Sequence, residues 1–435
     1  MLEEAVREYL VDFQKRTLPQ LVERELQIHE SKKVKSIIGP RRAGKTYFMY
    51  QQMKKLLADG VRKENILYLN FEDPRLSGIT FREIRELAKL HWQLYPESLN
   101  EKLHIFIDEP QNIEKWEQAV RSLHDEEFDI YLSGSSSKLL SREIATSLRG
   151  RTIAYMLLPF SFREFLKMHN LTFDVNRIST EEKATLLHLL DEYLTFGGFP
   201  EVALEDNQEN KLKILSEYFN LLVYRDVVER YKIKNSALAK WLIKTLSASF
   251  SKEFSIHKIY LTLKSQGVRV GKNTLYAYVS MLEDSIFAFF VPKFHRSIRK
   301  RELAVSKVYL SDLGFAKLVE VSEEKGRKME NAVFLELERR RGPLTNIFYW
   351  KNPQQEEVDF VIQKNSKVQQ LIQVCKEVWD RDVRKRELRA LLKASKELKC
   401  RNLLVITEDY GGKEKLKGTK IIFMPLWKWL LIPTK

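Results

Sequence analysis

The stretch Gly39-Pro-Arg-Arg-Ala-Gly-Lys-Thr46 follows the short apolar run Ser36-Ile-Ile38. Its two glycines let the backbone curl so that N–H groups surround β- and γ-phosphates at the positive end of the following helix. Lys45 is then expected to bridge phosphate oxygens, and Thr46 to hold Mg²⁺. The stretch predicts a nucleotide site formed by Gly39, Pro40, Arg41, Arg42, Ala43, Gly44, Lys45, Thr46 and Tyr47.

A matching pair of acids ends a later apolar run. Asp108 and Glu109 follow Leu103-His-Ile-Phe-Ile107, where the first acid can hold the water shell of a metal ion and the second can polarise the attacking water. The alternative is a strand end whose acids only cap the next helix. Beside the Gly-rich loop, consecutive acids favour ATP hydrolysis, with Lys45 and Glu109 as catalytic residues and Thr46 and Asp108 as Mg²⁺ ligands.

Two further segments offer catalytic candidates. Ile130-Tyr-Leu-Ser-Gly-Ser-Ser136 ends a predicted strand with hydroxyls, so Ser135 is placed to sense the γ-phosphate, although a Ser-rich turn is an equal alternative. Arg149 and Arg151 lie on a loop before the last core strand. From there an arginine finger can reach the γ-phosphate of a neighbouring subunit, and a solvated basic loop is the alternative.

The order of patterns along the chain predicts five regions. Between Val34 and Leu158 apolar runs alternate with amphipathic stretches, which predicts a three-layer α/β core with a parallel sheet. Helical spacing predominates before and after this core. Further along the chain, three short helices and a strand resemble a winged helix-turn-helix, and a small helical lid has the same pattern. Mixed α/β character follows. The predicted regions are an N-terminal helical segment 1–30, the P-loop core 31–158, a helical lid 159–235, a winged-helix-like domain 236–302 and a C-terminal α/β domain 303–435.

The composition narrows the class of partner. A net charge of +15 favours a polyanion, because neutralising phosphates releases counterions. The many charged residues of both signs also fit a heat-adapted surface. An acidic N-terminus and the lack of a bilayer-length apolar run predict a cytoplasmic protein without a membrane anchor. The two cysteines, Cys375 and Cys400, have no metal-binding or disulfide spacing.

Positive charge concentrates in two segments, 251–305 and 376–401. Each holds ten Lys or Arg, against four and five acids respectively. Such stripes predict phosphate contacts, whereas the alternative is a solvated face with Tyr276 in the core. The residues predicted to contact DNA are Lys264, Arg269, Lys272, Arg296, Arg299, Lys300 and Arg301.

With these motifs, the chain resembles the archaeal and bacterial AAA-type ATPases of the AAA+ superfamily, which couple this core to a C-terminal domain of formerly unknown function. Leu158-Pro-Phe-Ser-Phe-Arg-Glu-Phe165 and Gly197-Gly-Phe-Pro-Glu201 add to the resemblance. It implies a five-stranded sheet, a helical lid, Ser135 as a sensor and a homo-oligomer such as a hexameric ring. For Gly197-Gly198, residue type alone indicates only a tight turn.

The C-terminal part of that family resembles the PD-(D/E)XK nuclease fold, in which a helix Glu, a strand Asp and a Glu-x-Lys pair gather Mg²⁺. Glu330 and Asp359 occupy the first two places, but Gln373-Val-Cys375 stands where Glu-x-Lys is expected. An amide and a thiol lack the charge that Mg²⁺ needs, and Lys376 falls on the opposite strand face. The resemblance therefore implies a vestigial nuclease site, without its carboxylate and its cation, in a domain retained for binding.

These inferences predict a Mg²⁺-dependent ATPase that translocates along, or remodels, duplex or branched DNA as an oligomer. One alternative is an ATP-gated switch that recruits a protein partner, with slow hydrolysis as a timer. A second alternative is an ATP-regulated nuclease, which requires the altered metal site to work.

Overall fold

The computed structural model describes residues 2–134, 148, 150–319 and 325–433. It contains two compact units, Met1–Pro159 with Asp284–Ile286, and Phe160–Glu283 with Phe287–Lys435. None of the helices in these described ranges is long and apolar enough to cross a membrane.

A five-stranded parallel sheet with the order β2-β3-β4-β1-β5 forms the centre of the first unit. Both faces of β1 and β3 are covered, because every residue of these strands is buried and successive side chains point to opposite faces. The sheet confirms the predicted α/β core. Its strands are β1 (Val34–Ile38), β2 (Ile66–Asn70), β3 (His104–Asp108), β4 (Asp129–Gly134) and β5 (Thr152–Met156). The helices of this unit are α1 (Leu2–Lys15), α2 (Lys45–Ala58), α3 (Ile84–Leu94) and α4 (Trp116–Asp125), with 3₁₀ turns at Lys63–Asn65, Pro74–Leu76, Pro96–Asn100 and Pro110–Asn112.

The N-terminal segment is helical only as far as Lys15. The prediction of a helical segment over 1–30 is therefore wrong for its second half. Pro19 lacks a backbone N–H and restricts the residue before it, which disfavours a continuing helix. The irregular segment still contributes to the core, since Leu21 and Leu26 pack against the cluster that contains Phe13 and Phe48.

The second unit begins with the helices that were predicted to form a lid. They start at capping boxes, in which Ser161 pairs with Glu164 and Ser179 with Glu182. These helices are α5 (Phe162–Met168), α6 (Thr180–Phe196), α7 (Pro200–Leu204) and α8 (Gln208–Leu221), which continues as a π-helix over Leu222–Glu229.

A small domain with winged-helix order follows. It consists of α9 (Ser236–Ala248), β6 (Lys252–Phe254), α10 (Ile256–Ser265), α11 (Lys272–Asp284), β7 (Ala288–Val291), α12 (Ile298–Glu302) and β8 (Ser306–Leu310). The sheet order is β6-β8-β7, with both pairs antiparallel. The predicted boundary at residue 302 is thus too early, because β8 completes this sheet. Residues 292–305, between β7 and β8, are called the wing below.

The C-terminal domain contains a six-stranded mixed sheet with the order β13-β14-β12-β11-β10-β9. Strands β11, β12 and β14 run parallel, and the other pairs are antiparallel. The strands are β9 (Thr345–Lys351), β10 (Glu357–Lys364), β11 (Lys367–Cys375), β12 (Leu403–Thr407), β13 (Gly412–Leu416) and β14 (Thr419–Pro425). The helices are α13 (Gly314–Lys317), α14 (Lys325–Arg339), α15 (Arg381–Leu398) and α16 (Leu426–Leu431).

The Gly197-Gly198 motif, which had only a turn as its predicted role, is a site of close packing. A Cβ atom on Gly197 would lie 1.8 Å from Asp312 Oδ1, and one on Gly198 would lie 2.4 Å from the Phe160 carbonyl oxygen. The Asp312 carboxyl group accepts hydrogen bonds from the backbone N–H groups of Gly198 (2.7 Å) and Gly314 (2.8 Å). The glycines therefore let the end of α6 approach the segment that follows β8.

Candidate functional site

The loop between β1 and α2 has the backbone shape that a phosphate-binding loop requires. Gly44 has a φ of 90°, and a Cβ atom on Gly39 would lie 2.0 Å from the carbonyl oxygen of Leu157. Lys45 begins α2, and its Nζ atom donates to the carbonyl oxygens of Gly39 (3.2 Å) and Pro40 (2.9 Å). The lysine side chain thus lies folded over the loop.

Asp108 joins this loop to the neighbouring strand ends. The Thr46 hydroxyl donates to Asp108 Oδ2 over 2.7 Å, and the Tyr68 hydroxyl donates to the same atom over 3.1 Å. Ser133 Oγ donates to Asp108 Oδ1. The hydroxyl of Thr46 and the carboxylate of Asp108 are hard oxygen ligands of the type that Mg²⁺ prefers, so the residues fit the predicted metal.

Ser133 is a functional candidate that the sequence analysis missed. Parallel pairing of β3 and β4 places Ser133 directly beside Asp108. The motif contains several serines, and the sequence alone does not show that the strand register sets Ser133 beside the acid. Ser135, the predicted sensor, lies outside the described residues, so its role stays a prediction.

Glu109 has an unusual backbone and a perturbed carboxyl group. Its φ of 51° is in the left-handed region, which non-glycine residues adopt rarely and which is often found at functional sites. Burial raises the pKa of its carboxyl group, while the nearby charge of Lys45 acts in the opposite direction. Gln111 Nε2 donates to Glu109 Oε2. A carboxyl group with a raised pKa is a stronger base for accepting a proton from water.

Arg24 is a second residue that the sequence analysis missed. Its buried guanidinium donates to the carbonyl oxygens of Ala43 (2.9 Å) and Leu158. The main chain of Arg24 also exchanges two hydrogen bonds, of 2.8 and 3.0 Å, with the side chain of Gln51. The irregular N-terminal segment therefore braces the phosphate-binding loop, through contacts that no local motif reveals.

The other predicted nucleotide contacts lie around the same loop. Arg41 forms a 3.7 Å ion pair with Glu72, while Arg42 and Tyr47 are exposed. Tyr47 is 54% exposed, so its ring is accessible to a stacking partner such as a base. Pro40 and Ala43 contribute the backbone carbonyls already described.

The arginine candidates are only partly described. Arg149 lies outside the described residues. Arg151 directly precedes β5 and binds Asp125 through two contacts of 3.1 and 3.0 Å. Because β5 runs parallel to β1, Arg151 lies at the sheet edge opposite to the phosphate-binding loop. It is therefore remote from Lys45 of its own chain.

In the C-terminal domain, Glu330 and Asp359 come together as predicted, but around an unexpected cation. Lys307 Nζ on β8 lies 2.7 Å from Glu330, 2.7 Å from Glu357 and 3.1 Å from Asp359. β11 carries no lysine at the expected place, but the expectation that the cluster holds no cation is wrong, because β8 supplies one from the start of the predicted C-terminal domain. Glu357 was also missed.

The two remaining residues of the predicted vestigial site lie on β11. Gln373 Nε2 donates to Glu387 on α15 over 2.6 Å. Cys375 belongs to the apolar core of the domain with Val378 and Leu388. Burial raises the pKa of the Cys375 thiol to about 11, so it is a poor metal ligand at neutral pH.

The predicted DNA-contacting residues lie on α10, α11, the turn between them and the wing. Six of the seven are exposed: Lys264, Arg269, Lys272, Arg296, Arg299 and Lys300. Arg301 differs, because it donates to the His295 carbonyl oxygen (3.0 Å) and its guanidinium lies 4.4 Å from the Phe348 ring centroid. Arg301 thus anchors the wing, and the prediction that it contacts DNA directly is not supported by its geometry.

Tyr276 is on the surface, contrary to the solvated-face alternative that placed it in the core. It is 48% exposed, whereas Tyr278 is 8% exposed and packs inside. Lys272 Nζ lies 5.7 Å from the Tyr276 ring centroid. The exposed face of α11 therefore combines a cation, an aromatic ring and small polar residues.

The fold and the Lys45–Thr46–Asp108 geometry together define an AAA-type P-loop ATPase. Residues 31–166 match the AAA domain, residues 187–325 match a domain of unknown function (DUF8612), and residues 325–429 match another (DUF4143). The chain is 42% identical over 408 residues to an uncharacterized protein of Methanocaldococcus jannaschii, covering 92% of this chain and 88% of the relative. It belongs to the same family of AAA-type ATPases.

Two further likenesses are more distant. An uncharacterized protein of Haemophilus influenzae is 29% identical over 406 residues, which cover 92% of this chain and 96% of that protein. A crystal structure of Cdc6p from Pyrobaculum aerophilum aligns with 65% of this chain and 85% of its own, at 13% identity and a TM-score of 0.25.

Proposed function

We propose that the protein is a Mg²⁺-dependent ATPase that binds DNA and uses ATP hydrolysis to translocate along, or remodel, duplex or branched DNA as a homo-oligomer. The observation that carries this proposal is the joint presence of an assembled Lys45–Thr46–Asp108 site and an exposed basic winged-helix surface in one chain.

The phosphate-binding loop is arranged to exchange its internal contacts for ATP. Lys45 leaves the carbonyl oxygens of Gly39 and Pro40 and moves to the phosphate oxygens, a favourable exchange because a charged acceptor binds the ammonium more strongly. Thr46 and Asp108 would hold Mg²⁺, which neutralises the charge of the phosphate oxygens. Ser133 keeps the Asp108 carboxylate in the orientation that faces Thr46.

Glu109 is the proposed general base. Its raised pKa suits it to accept the proton of the attacking water, and its hydrogen bond with Gln111 orients the carboxylate.

The position of Arg151 supports the proposed oligomer. Because Arg151 lies at the opposite sheet edge from Lys45, it can contribute to catalysis only at the site of a neighbouring subunit. Arg149 and Arg151 are therefore proposed as trans arginine fingers, and Ser135 as a γ-phosphate sensor. A hexameric ring is the arrangement that the family resemblance implies.

The winged-helix surface is the proposed DNA contact. Arg269 and Lys272 flank the turn into α11, and Arg296, Arg299 and Lys300 lie on the wing. Cations on a helix-turn-helix and its wing contact the phosphates of one duplex. A surface hollow of about 550 Å³ beside the turn is lined by Lys264 and Arg269 among others, which places further positive charge at the same contact.

Two exposed apolar side chains favour a second candidate function. Ile298 is 70% exposed and Leu303 is 77% exposed, both on the wing. Exposed apolar residues in one segment are typical of protein contacts. An ATP-gated switch that recruits a protein partner through the wing would use them, with slow hydrolysis as a timer.

ATP turnover measured without nucleic acid, and with single strands, duplex or four-way junctions, at two salt concentrations distinguishes the two candidates. DNA remodelling predicts stimulation by duplex or junction DNA that weakens as salt rises. Turnover that is equal in all conditions contradicts it and favours the switch. The Lys45→Ala variant controls for contaminating ATPases.

A further inference from the structure

A buried lysine lies at the centre of the acidic cluster in the second unit. Lys307 is 2% exposed. Its ammonium group contacts Glu330 on α14 and both Glu357 and Asp359 on β10, all within 3.1 Å. Three carboxylates thus surround one point, and the cation at that point is the side-chain ammonium of Lys307 and not a bound ion.

The carboxylates are held in place by separate donors. The Tyr309 hydroxyl donates to Glu330 over 2.6 Å, and the backbone N–H of Val374 donates to Asp359 over 2.9 Å. Lys351 forms a second ion pair with Glu357, of 3.4 Å. Because these contacts do not involve Lys307, the oxygen positions do not depend on the lysine alone.

An amide oxygen beside the cluster gives an independent sign of a cation position. Phe360 pairs with Ile372 in the antiparallel register of β10 and β11. The adjoining residues Asp359 and Gln373 therefore follow on the opposite face of the sheet from this pair, and both lie on that one face. Gln373 is 4% exposed, and its Oε1 atom accepts no hydrogen bond from any described residue. Buried amide oxygens without a donor are costly, and they are common ligands of hard cations.

We propose that the ammonium of Lys307 is the resident cation of this oxygen cluster and excludes divalent metal ions from the cluster in the native protein, so that a neutral side chain at position 307 opens a divalent-cation site there. A second cation within about 3 Å of the ammonium is strongly disfavoured in a buried environment. No group of His, Cys, Asp or Glu in the described part of the chain has the arrangement needed to hold a metal ion as it stands.

The distances from the ammonium to the carboxylate oxygens also indicate which metal ions suit the binding test. The ammonium–oxygen distances of 2.7 to 3.1 Å are longer than metal–oxygen distances of about 2.3–2.6 Å for Ca²⁺ and about 2.0–2.1 Å for Mg²⁺. The carboxylate oxygens must therefore move inward by a shorter distance to bind Ca²⁺ than to bind Mg²⁺. Mn²⁺, which is paramagnetic, reports its own binding directly.

The test compares the full-length wild type with Lys307→Met, Lys307→Arg and the double variant Lys307→Met/Asp359→Asn. Methionine retains the length of the stem without the charge, and arginine retains the charge. Mn²⁺ binding is measured by electron paramagnetic resonance without nucleotide, and Ca²⁺ binding by calorimetry. We expect Lys307→Met to bind one metal ion at least about tenfold more tightly than each of the other three proteins.

Two results overturn the proposal. One is a folded Lys307→Met protein with no gain in metal binding, and the other is a wild type whose metal binding is lost in Asp359→Asn. If Lys307→Met does not fold alone, the measurement is its thermal unfolding with and without Mn²⁺. A transition restored by Mn²⁺ in the single but not in the double variant supports the proposal, and no restoration contradicts it.

Discussion

The chain contains two lysine-centred clusters that differ in what holds the ammonium group. Lys45 in the first unit donates to the neutral carbonyl oxygens of Gly39 and Pro40. Lys307 in the second unit is enclosed by three carboxylates. A cation held by carbonyls is available to an anionic ligand, whereas one neutralised by buried carboxylates is committed to the fold. The comparison supports ligand binding as the proposed role of the first cluster and predicts a role in stability for the second.

The largest expected effect is on ATP turnover. Lys45→Ala removes the cation for the phosphates and should abolish hydrolysis, with a loss of about a thousandfold or more. Glu109→Gln should still bind ATP while slowing turnover by orders of magnitude, because only the base is lost. Single-turnover hydrolysis and binding of a fluorescent ATP analogue separate the two defects. Unchanged turnover in either variant would mean that the site is placed wrongly.

The second cluster should respond in stability and not in ATP binding. Lys307→Ala leaves buried carboxylates unpaired, which costs about 3–5 kcal/mol when one partner of a buried ion pair is removed. Denaturant unfolding measures this loss, and the ATP affinity of the folded protein should be unchanged. The exposed pair Lys213–Glu209 provides a matched control, since Lys213→Ala should cost less than about 1 kcal/mol. Equal losses in the two variants would contradict the comparison.

The hydrogen bond from Ser133 to Asp108 is a further feature of the first cluster that can be tested. Ser133→Ala removes the hydrogen bond to Asp108 Oδ1 and should lower kcat by about tenfold to a hundredfold with little change in KM, as other losses around a metal ligand do. The defect should be greater with Mg²⁺ near its half-saturating concentration. A variant whose kcat and Mg²⁺ dependence equal those of the wild type would show that Ser133 has only a structural role.

The smallest effects concern single cations on the DNA surface. Arg269→Gln and Lys272→Gln should each weaken duplex binding uniformly across sequences and reduce the slope of log affinity against log salt by about one. Lys213→Gln, an exposed cation outside the winged-helix domain, should leave the slope unchanged. Fluorescence anisotropy at several salt concentrations gives the slopes. If the wild type and all variants have the same slope, Arg269 and Lys272 do not contact the DNA phosphates.

Residues close in sequence account for most of what could be predicted. The Gly39–Thr46 loop and the Asp108-Glu109 pair are local motifs whose residue order predicts the chemistry. Alternating patterns were enough to predict the α/β core with a parallel sheet, and the family resemblance implied its five strands. The N-terminal helix was overextended, because periodic leucines after Pro19 pack in irregular chain.

The residues that were missed depend on long-range contacts. Arg24 reaches Leu158 across 134 positions, and Lys307 reaches Asp359 across 52. The choice between Ser133 and Ser135 depends on strand register, which the run of serines does not encode. In the C-terminal domain the lysine was expected on the strand after Asp359, whereas β8 supplies it from the preceding sheet. Residue type and spacing do not reveal that a lysine on β8 lies beside these carboxylates.

The central claim is that the loop around Lys45 encloses the phosphates of ATP, with Mg²⁺ held at Thr46 and Asp108. Equilibrium binding of ATP to the purified protein, with Mg²⁺ and with a chelator, tests it most directly. We predict one ATP per chain with Mg²⁺, weaker binding with the chelator and loss of binding in Lys45→Ala. A wild-type protein that binds no ATP in the presence of Mg²⁺ would contradict the account.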